Sequence, residues 1–354
     1  MRAQDFCPVE IAGGRIFVRN MLCGMRWMLI LFLTTTAFAQ WEIQSSHTTE
    51  SLRGVSVVDR NEIWASGTHG TYLVTTDAGR TWTVHQVPGA EELDFRGVKA
   101  FRNEAFLLAA GPGDKSRIYH QRHGHAWELQ FTNREPKGFL DCVAFSDQKH
   151  GFVVGDPVNG KFQILRTRDG GRSWQYVDPR KLPPALEGEG AFAASDSCIT
   201  TMGADVWFAT GGPAARVFYS ADAGETWSAA ESPINHGSPS QGIFSIAFRD
   251  SHHGMIAGGD YQHPEQSGPN LATTDDGGRT WKVSAIQPQK FFSAVSYVDD
   301  QHIIVVGAAA SGFPDGDLRS WKWSSPDGFN ALASGDGVTY AVGSNGKIAR
   351  LTAR

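Results

Sequence analysis

Two arginines in similar local sequences carry the clearest potential for binding chemistry in this chain. Arg53 and Arg96 each follow an apolar residue and precede a glycine. A guanidinium group presents a planar fork of N–H donors that can bind a carboxylate through two parallel hydrogen bonds. The pair could therefore grip a free carboxylate or an acidic peptide segment. The alternative is two solvated or strand-pairing arginines, since the sequence shows no partner for either.

Other side chains could support metal binding or hydrolysis, and each has a simpler explanation. Residues 120–125 contain three histidines, but no cysteine or carboxylate joins them, so we expect a turn whose sequence has drifted. Hydrolysis of a glycoside would need two carboxylates across a cleft, and most Asp and Glu residues lie at predicted turns. We therefore predict no catalytic residue, no metal site and no cofactor.

A short motif recurs four times and predicts the local structure around these residues. Its pattern is Ser/Thr-x-Asp-x-Gly-x-x-Trp, and the copies start at Thr75, Thr167, Ser220 and Thr274. The Asp carboxylate can accept hydrogen bonds from its own turn, Gly supplies a positive φ, and Trp begins the returning strand. Each copy thus predicts a hairpin turn whose Trp packs between neighbouring sheets. We assign a structural role to Asp77, Gly79, Trp82, Asp169, Gly171, Trp174, Asp222, Gly224, Trp227, Asp276, Gly278 and Trp281.

Two further columns of residues extend the repeat beyond the four motifs. One is a short, mostly hydrophobic stretch that ends at Gly67, Gly111, Gly155, Gly211, Gly258, Gly307 and Gly343. The other, upstream of each glycine, is a small residue followed by an aliphatic one, with the small residue at Gly54, Gly97, Cys142, Cys198, Ser245, Ala294 and Ala331. The small residues are spaced 37 to 56 residues apart, which fits a four-stranded propeller blade with variable loops. We predict an all-β, seven-bladed β-propeller with this small column on its innermost strands.

The two ends of the predicted propeller complete one blade together. The last repeat supplies only three strands, and the segment that begins at Trp41 resembles the strand that follows each repeated motif. We predict that Trp41 opens the outer strand of the seventh blade. This pairing would close the ring and leave no open sheet edge between the ends.

The residue before each small residue is expected near the mouth of the central funnel. These residues are Arg53, Arg96, Asp141, Ser197, Phe244, Ser293 and Asn330. We take Arg53, Arg96, Asp141 and Asn330 as the candidate partner-binding residues. Two insertions, residues 178–190 and 261–270, are expected to lie over one face of the disc, where loops can vary the partner.

Cys142 and Cys198 occupy equivalent places on adjacent predicted blades. Their small size explains why they stand in the small column. We expect neighbouring inner strands to hold their Cα atoms beyond the limit of about 7 Å for a disulfide. The sequence itself leaves the pairing of the two cysteines open.

The N-terminal region has the features of an export signal. Arg26 is followed by the apolar run 27–33 and by an Ala-Phe-Ala sequence that ends at Ala39, the pattern of a cleavable signal peptide. We assign residues 1–20 to an over-long start, 21–39 to the signal peptide and 40–354 to the propeller. The expected location is periplasmic or secreted. We expect cleavage after Ala39, which would leave no stable membrane span. An uncleaved anchor is the alternative.

The charge of the chain limits the kind of partner. The formal net charge is −5, and no long run of like charges stands out, so the chain lacks the electrostatic footprint of a nucleic-acid-binding protein. We expect no nucleic-acid partner, and we expect a monomer.

The four motifs and the spacing of the glycine column resemble the BNR/Asp-box propellers, and most closely the photosystem II stability/assembly factor family. The resemblance covers roughly residues 40–352 and includes the segments 147–155 and 167–174. It implies an exported, non-catalytic scaffold that binds a protein partner during assembly of a membrane complex. Asp boxes also occur in sialidases and xyloglucanases, so an exported glycoside hydrolase is the alternative function. The Arg-Ile-Pro motif usual in sialidases is absent from the predicted propeller.

Overall fold

The computed structural model describes residues 10–11, 14–15, 40–122, 124–287, 290–308, 310–314, 321–325 and 328–352. The chain divides into two compact units, of which the larger is Ala39–Ala353. In the other unit, β1 (Glu10–Ile11) pairs with β2 (Gly14–Arg15) in an antiparallel hairpin. The predicted signal peptide and its cleavage site lie outside the described residues. Their assignment stays a prediction.

The described part of the larger unit forms seven antiparallel sheets arranged as blades. The first strand of this unit is β3 (Trp41–Gln44). Blade 1 contains β4 (Leu52–Val57), β5 (Ile63–Gly67), β6 (Thr71–Thr75) and β7 (Thr83–Gln86). Blade 2 contains β8 (Phe95–Phe101), β9 (Glu104–Ala109), β10 (Arg117–Arg122) and β11 (Glu128–Thr132). Blade 3 contains β12 (Leu140–Phe145), β13 (Gly151–Val158), β14 (Lys161–Thr167) and β15 (Gln175–Tyr176).

The remaining blades follow the same meander with one added strand. Blade 4 contains β16 (Ile199–Met202), β17 (Asp205–Ala209), β19 (Arg216–Ser220) and β20 (Ser228–Glu231), while β18 (Gly211–Gly212) pairs with the next blade. Blade 5 contains β21 (Ser238–Phe248), β22 (Gly254–Asp260), β23 (Leu271–Thr274) and β24 (Lys282–Val283). Blade 6 contains β25 (Ala294–Tyr297), β26 (Ile303–Gly307), β27 (Ala310–Pro314) and β28 (Trp321–Ser325). Blade 7 contains β29 (Ala331–Gly335), β30 (Val338–Val342), β31 (Ile348–Leu351) and β3. Two single turns of 3-10 helix, Gly113–Lys115 and Pro179–Lys181, lie in connections.

The fold and the ring closure are those predicted from the sequence. Strand β3 pairs antiparallel with β31, with Trp41 opposite Leu351. The Trp41 ring is buried, its centroid lies 5.0 Å from that of Phe329, and its Nε1–H donates to Ser311 Oγ at 2.9 Å. Strand β3 therefore completes blade 7 and also contacts blade 6. A closed ring leaves no gap between first and last blades.

The innermost strands explain the small column. Strands β4, β8, β12, β16, β21, β25 and β29 contact one another in order around the axis. At Gly54, an added Cβ would lie 2.5 Å from Ser66 Oγ and 3.1 Å from the Val98 backbone nitrogen of the next blade. Backbones therefore approach too closely there for a side chain.

The alternating strand directions give the disc two distinct faces. The upper face carries the start of each innermost strand and the turn between the second and third strands. The lower face carries the turn after each innermost strand and the Asp-box turns. Between the blades, aromatic rings fill the core, as where the ring centroid of Phe162 in blade 3 lies 5.2 Å from that of Phe208 and 5.1 Å from that of Phe218 in blade 4. These buried contacts hold neighbouring sheets together and fix the geometry of both faces.

Candidate functional site

In each Asp-box turn, the motif residues hydrogen-bond to one another, as blade 1 illustrates. Asp77 Oδ1 accepts from Thr75 Oγ1 at 2.8 Å and from the Thr81 amide at 2.9 Å, while Asp77 Oδ2 accepts from Thr81 Oγ1 at 2.7 Å. These bonds, first of all the one from the Thr81 amide, lower the pKa of Asp77 to about 2. The other three boxes repeat the same bonds. The carboxylates are therefore occupied within their own turns.

The Asp-box tryptophans pack into the hydrophobic clusters of the propeller. Trp82, Trp227 and Trp281 are buried in the clusters between blades, and Trp174 is partly buried. Glycine is required in these turns, since Gly224 has φ +78° and an added Cβ would lie 2.6 Å from the Phe152 ring. The boxes also lie on the lower face, at the opposite end of the blades from the predicted funnel ring.

At the upper face, Arg53 and Arg96 come together near the mouth of the central channel. The charge of Arg96 acts on Arg53, and burial together with that charge lowers the pKa of Arg53, while Asp94 opposes the shift. Arg96 Nε donates to Asp94 Oδ2 at 2.8 Å, and its Nη1 donates to the Ala193 carbonyl at 3.2 Å. Arg96 is therefore held in place. Among the described residues, Arg53 Nε is buried without a hydrogen-bond partner, and the side chain as a whole is half-buried, so the protein leaves part of the donor capacity of Arg53 unused.

A segment that we call the plug, residues 191–197, covers the upper end of the channel. It connects the 178–190 insertion to blade 4, and it contacts blades 2, 3, 5 and 6. Its Asp196 accepts the backbone amides of Val98 in blade 2 and Val143 in blade 3 at 3.0 and 2.8 Å. Ser195 Oγ donates to the Ser293 carbonyl beside blade 6 at 2.7 Å. The innermost strands have backbone amides that face the channel without a partner in their own sheet. The plug accepts hydrogen bonds from some of these amides.

The plug also brings aromatic side chains to the upper face. The Phe192 ring stacks on Phe244 in blade 5, with centroids 3.8 Å apart and planes at 10°. Tyr261 makes edge contacts with both rings and is 49% exposed. Beneath them, Gly211 and Gly242 are so close that an added Cβ on Gly242 would lie 2.3 Å from Gly211 Cα. Arg96 therefore contacts the plug at Ala193, one residue from the Phe192 ring of this aromatic cluster.

Asp141 does not have the accessible position that was predicted for it, because the plug covers it. Its side chain is 2% exposed, and its Oδ2 atom has no hydrogen-bond partner among the described residues. Burial, with the charge of Asp156, raises the pKa of Asp141 well above its usual range. Asp156 Oδ1 accepts the Ala191 amide at 3.0 Å, and burial raises the pKa of Asp156 to about 6. Blade 3 thus holds the plug through Asp156, and Asp141 is not open to a partner because it is buried.

The expectation about Cys142 and Cys198 was wrong. Their Cα atoms lie 6.0 Å apart, and the two residues form a disulfide. Inner strands converge on the axis closely enough at the small column to bring the two sulfur atoms into bonding range. Because Cys198 follows the plug directly, the disulfide fixes the end of the plug to blade 3.

The other predicted ring residues make contacts within the protein. Asn330 Nδ2 donates to the Leu52 carbonyl at 2.9 Å, next to Arg53. Ser197 Oγ donates to Ser245 Oγ at 2.7 Å, and Ser293 Oγ donates to the Asn330 carbonyl at 2.8 Å. Phe244 is buried under Phe192. Of the four candidate partner-binding residues, the structure places Arg53, Arg96 and Asn330 at the upper mouth and buries Asp141.

The histidine-rich turn of blade 2 is occupied by contacts of its own. His120 Nε2 lies 3.0 Å from Glu104 Oε2, and its ring stacks on Phe106 with centroids 4.2 Å apart. His123 lies outside the described residues. Across the part of the chain that the structure describes, no group of three or more His, Cys, Asp or Glu side chains could hold a metal ion.

Several residues at the upper mouth were missed by reasoning from the sequence. Asp94, Asp156 and the plug residue Asp196 carry no repeat signature: Asp94 and Asp196 stand in connections of unique length, and Asp156 lies near the end of β13. The available signal was the longest spacing in the small column, which lies between Cys142 and Cys198. That extra length is the insertion and the plug. Separately, no helix within the described ranges is long and apolar enough to cross a bilayer.

Comparisons with known proteins confirm the resemblance to photosystem II assembly factors. A family model described as "Photosynthesis system II assembly factor YCF48" matches residues 119–241. The photosystem II stability/assembly factor HCF136, chloroplastic, of Arabidopsis thaliana is 30% identical over 132 residues. That match covers 37% of this chain and 30% of the relative, so it spans less than a third of that protein.

Solved structures share the fold at low sequence identity. A structure titled "YCF48 bound to D1 peptide" has a TM-score of 0.66 at 16% identity and covers 90% of this chain and 98% of its own. YCF48 from Cyanidioschyzon merolae has a TM-score of 0.62 at 15% identity, with coverage of 88% and 98%. Virginiamycin B lyase from Staphylococcus aureus has a TM-score of 0.63 at 13% identity, with coverage of 90% and 99%. Proteins with such different names share this fold, so the structural similarity shows the fold alone.

Proposed function

We propose that the chain is an exported, non-catalytic scaffold of the photosystem II assembly factor type, and that it binds a protein partner at its upper mouth through Arg53 and Arg96. The observation that carries the proposal is the arginine pair itself. Arg96 is fixed by Asp94 and the plug carbonyl of Ala193, while Arg53 keeps a buried donor without a partner among the described residues. A preorganised guanidinium beside an unsatisfied one favours an anionic ligand group.

The relatives support a protein as the ligand. One similar structure is titled as YCF48 bound to a D1 peptide, and a chloroplastic relative is named a photosystem II stability/assembly factor. We infer that the anionic group recognised here is a carboxylate on an acidic or carboxyl-terminal peptide segment.

Export is part of the proposal. The basic residue, apolar run and Ala-Phe-Ala sequence before residue 40 support a cleaved signal peptide, and a disulfide between Cys142 and Cys198 fits an oxidising compartment. N-terminal sequencing of protein recovered from the periplasm or medium is expected to begin at Gln40. Recovery of the whole protein from the cytoplasm would overturn this part.

The glycoside hydrolase alternative rests on the neighbouring carboxylates Asp141 and Asp156, whose pKa values burial raises. Raised carboxyl pKa values mark many acid catalysts. Here, however, Asp156 accepts the Ala191 amide of the plug, and Asp141 is buried. Asp156 therefore positions the plug, and the buried Asp141 does not face it across an open cleft. Hydrolysis of aryl glycosides by the mature protein, lost in Asp156→Asn, would reverse this preference.

A capture experiment tests the binding proposal. Mature wild-type protein and an Arg53→Ala/Arg96→Ala variant are used to capture partners from the exported fraction, with quantitative mass spectrometry. The matched control is Arg80→Ala/Arg172→Ala, which removes the same charge from two exposed arginines on lower-face Asp-box turns. Hydrogen bonds to charged groups contribute roughly 1.5–3 kcal/mol each, so we expect binding to weaken by at least about tenfold in the first variant. Equal recovery of every partner by both variants would remove the upper mouth as the site.

A further inference from the structure

The central channel below the plug contains a cavity of about 350 Å³ around the axis. All seven innermost strands line it, and Asp196 of the plug lies at its upper end. The residues nearest the lower face, including Val57, Thr201 and Ser334, are partly exposed. Small solutes can therefore reach the cavity from the lower face, on the side away from the arginine pair.

One position in this channel breaks the pattern of the repeat. The residue after each aliphatic member of the small column is, in chain order, Ser56, Lys99, Ala144, Thr200, Ala247, Ser296 and Ala333. Six of these seven residues are small and uncharged. Lys99 alone brings a long cationic side chain into the channel wall, and it lines the cavity.

Lys99 lacks a counter-ion within the described residues. Its amine makes neither an ion pair nor a hydrogen bond there, and its described contact is the Phe101 ring, whose centroid lies 5.7 Å from Nζ. The carboxylate of Asp196 is in the same channel, but both of its oxygens accept backbone amides, from Val98 and Val143. Burial lowers the pKa of Lys99, and the charge of Asp196 only partly opposes this. Lys99 is half-buried in the channel wall, and an ammonium that loses part of its hydration without gaining a partner is costly.

The channel wall also offers hydroxyl groups. Ser56 Oγ accepts the Ala100 amide at 3.0 Å, which leaves its own hydrogen free to donate. Thr200 lines the cavity at the same level as Lys99. Cationic and hydroxyl donors around this cavity match the acceptors of a small oxyanion.

We propose that the central channel binds one small oxyanion from solution, with Lys99 as its counter-ion and Ser56 and Thr200 as hydroxyl donors. The cavity has room for such an ion with several waters, since a water occupies about 30 Å³ of liquid. It is too narrow for a folded peptide segment. This site is separate from the upper mouth and does not depend on the function proposed there.

Selenate is a suitable probe, because it is a tetrahedral oxyanion and its selenium gives an anomalous X-ray signal. Binding to the mature protein is measured by isothermal titration calorimetry, and crystals soaked in selenate are used to locate the ion. The test variant is Lys99→Met. The control is Lys149→Met, which removes the same charge from an exposed turn of the lower face.

We expect one selenate per wild-type chain, an anomalous peak in the channel beside Lys99, and affinity at least about tenfold lower in Lys99→Met. Lys149→Met is expected to bind like the wild type, and Lys99→Arg is expected to keep most of the affinity because it keeps the charge. Removal of an unpaired buried charge is not expected to destabilise the ion-free protein, so thermal unfolding of Lys99→Met separates loss of the site from loss of the fold. Equal affinity in Lys99→Met and wild type, a peak elsewhere only, or no binding by the wild type at millimolar selenate would overturn the proposal.

Discussion

The disulfide between Cys142 and Cys198 gives the sharpest prediction about stability. The perturbation is the double substitution Cys142→Ala/Cys198→Ala. Alanine is the matched choice because Ala294 and Ala331 occupy the same column in blades 6 and 7. The variant therefore removes the cross-link while keeping a side chain that this site type already accepts.

The size of the effect follows from the length of chain that the disulfide closes. The two cysteines are 56 residues apart in sequence. In the chain-entropy treatment, a loop of that length restricts the unfolded state by about 4 kcal/mol at room temperature. We expect the free energy of unfolding of the oxidised wild type to exceed that of the variant by roughly 2–4 kcal/mol.

Equilibrium unfolding in urea, with and without a reductant, measures this difference. The oxidised wild type should unfold at a higher urea concentration than the variant, and the reduced wild type should move to the position of the variant. The variant should not respond to the reductant. Equal unfolding free energies for the oxidised wild type and the variant, or two free thiols in the denatured and unreduced wild type, would refute the reasoning.

Three further predictions concern the plug, the ring closure and the Asp-box turns. Because burial raises the pKa of Asp156 to about 6, its ionisation in the folded state costs stability, and the free energy of unfolding should fall as pH rises from about 4 to about 6. Asp156→Asn should then stabilise the protein by up to about 3 kcal/mol near pH 7 and lose that advantage near pH 4, as measured by urea unfolding at each pH. Trp41→Ala should cost about 3–5 kcal/mol, because the ring is buried against Phe329; a thermal midpoint equal to that of the wild type would contradict the closure. Gly224→Ala should cost more than about 1 kcal/mol since it combines φ +78° with a clash against Phe152, whereas Gly203→Ala, at φ +61° with open space around it, controls for the backbone effect alone.

The repeat determined how much of the fold could be predicted from the sequence. A small residue such as Gly54 and a strand-end glycine such as Gly67 recur because every blade meets the same steric limits, so their columns predicted seven blades. The pairing of the strand that begins at Trp41 with the last strand of the chain's final repeat followed from the missing fourth strand of that repeat. These features are set by local spacing, which a single sequence contains.

The candidate site was harder to predict because its key parts are not repeated. The plug joins Asp196 to Val98 and Val143, which belong to blades 2 and 3, and nothing in the local sequence encodes those distant contacts. The sequence pattern correctly predicted Asp141 at the start of an inner strand, but it did not predict that the plug buries this residue. The Cys142 to Cys198 distance depended on how tightly the inner strands converge, which sequence spacing does not give.

The most direct test of the central claim is a hydrogen-exchange footprint of the captured partner on the propeller. The account predicts slower exchange on the upper face in peptides that contain Arg53, Arg96 and the plug, with unchanged exchange in the Asp-box turns of the lower face. Protection confined to the Asp-box turns, or the same upper-face protection with the Arg53→Ala/Arg96→Ala variant, would contradict it.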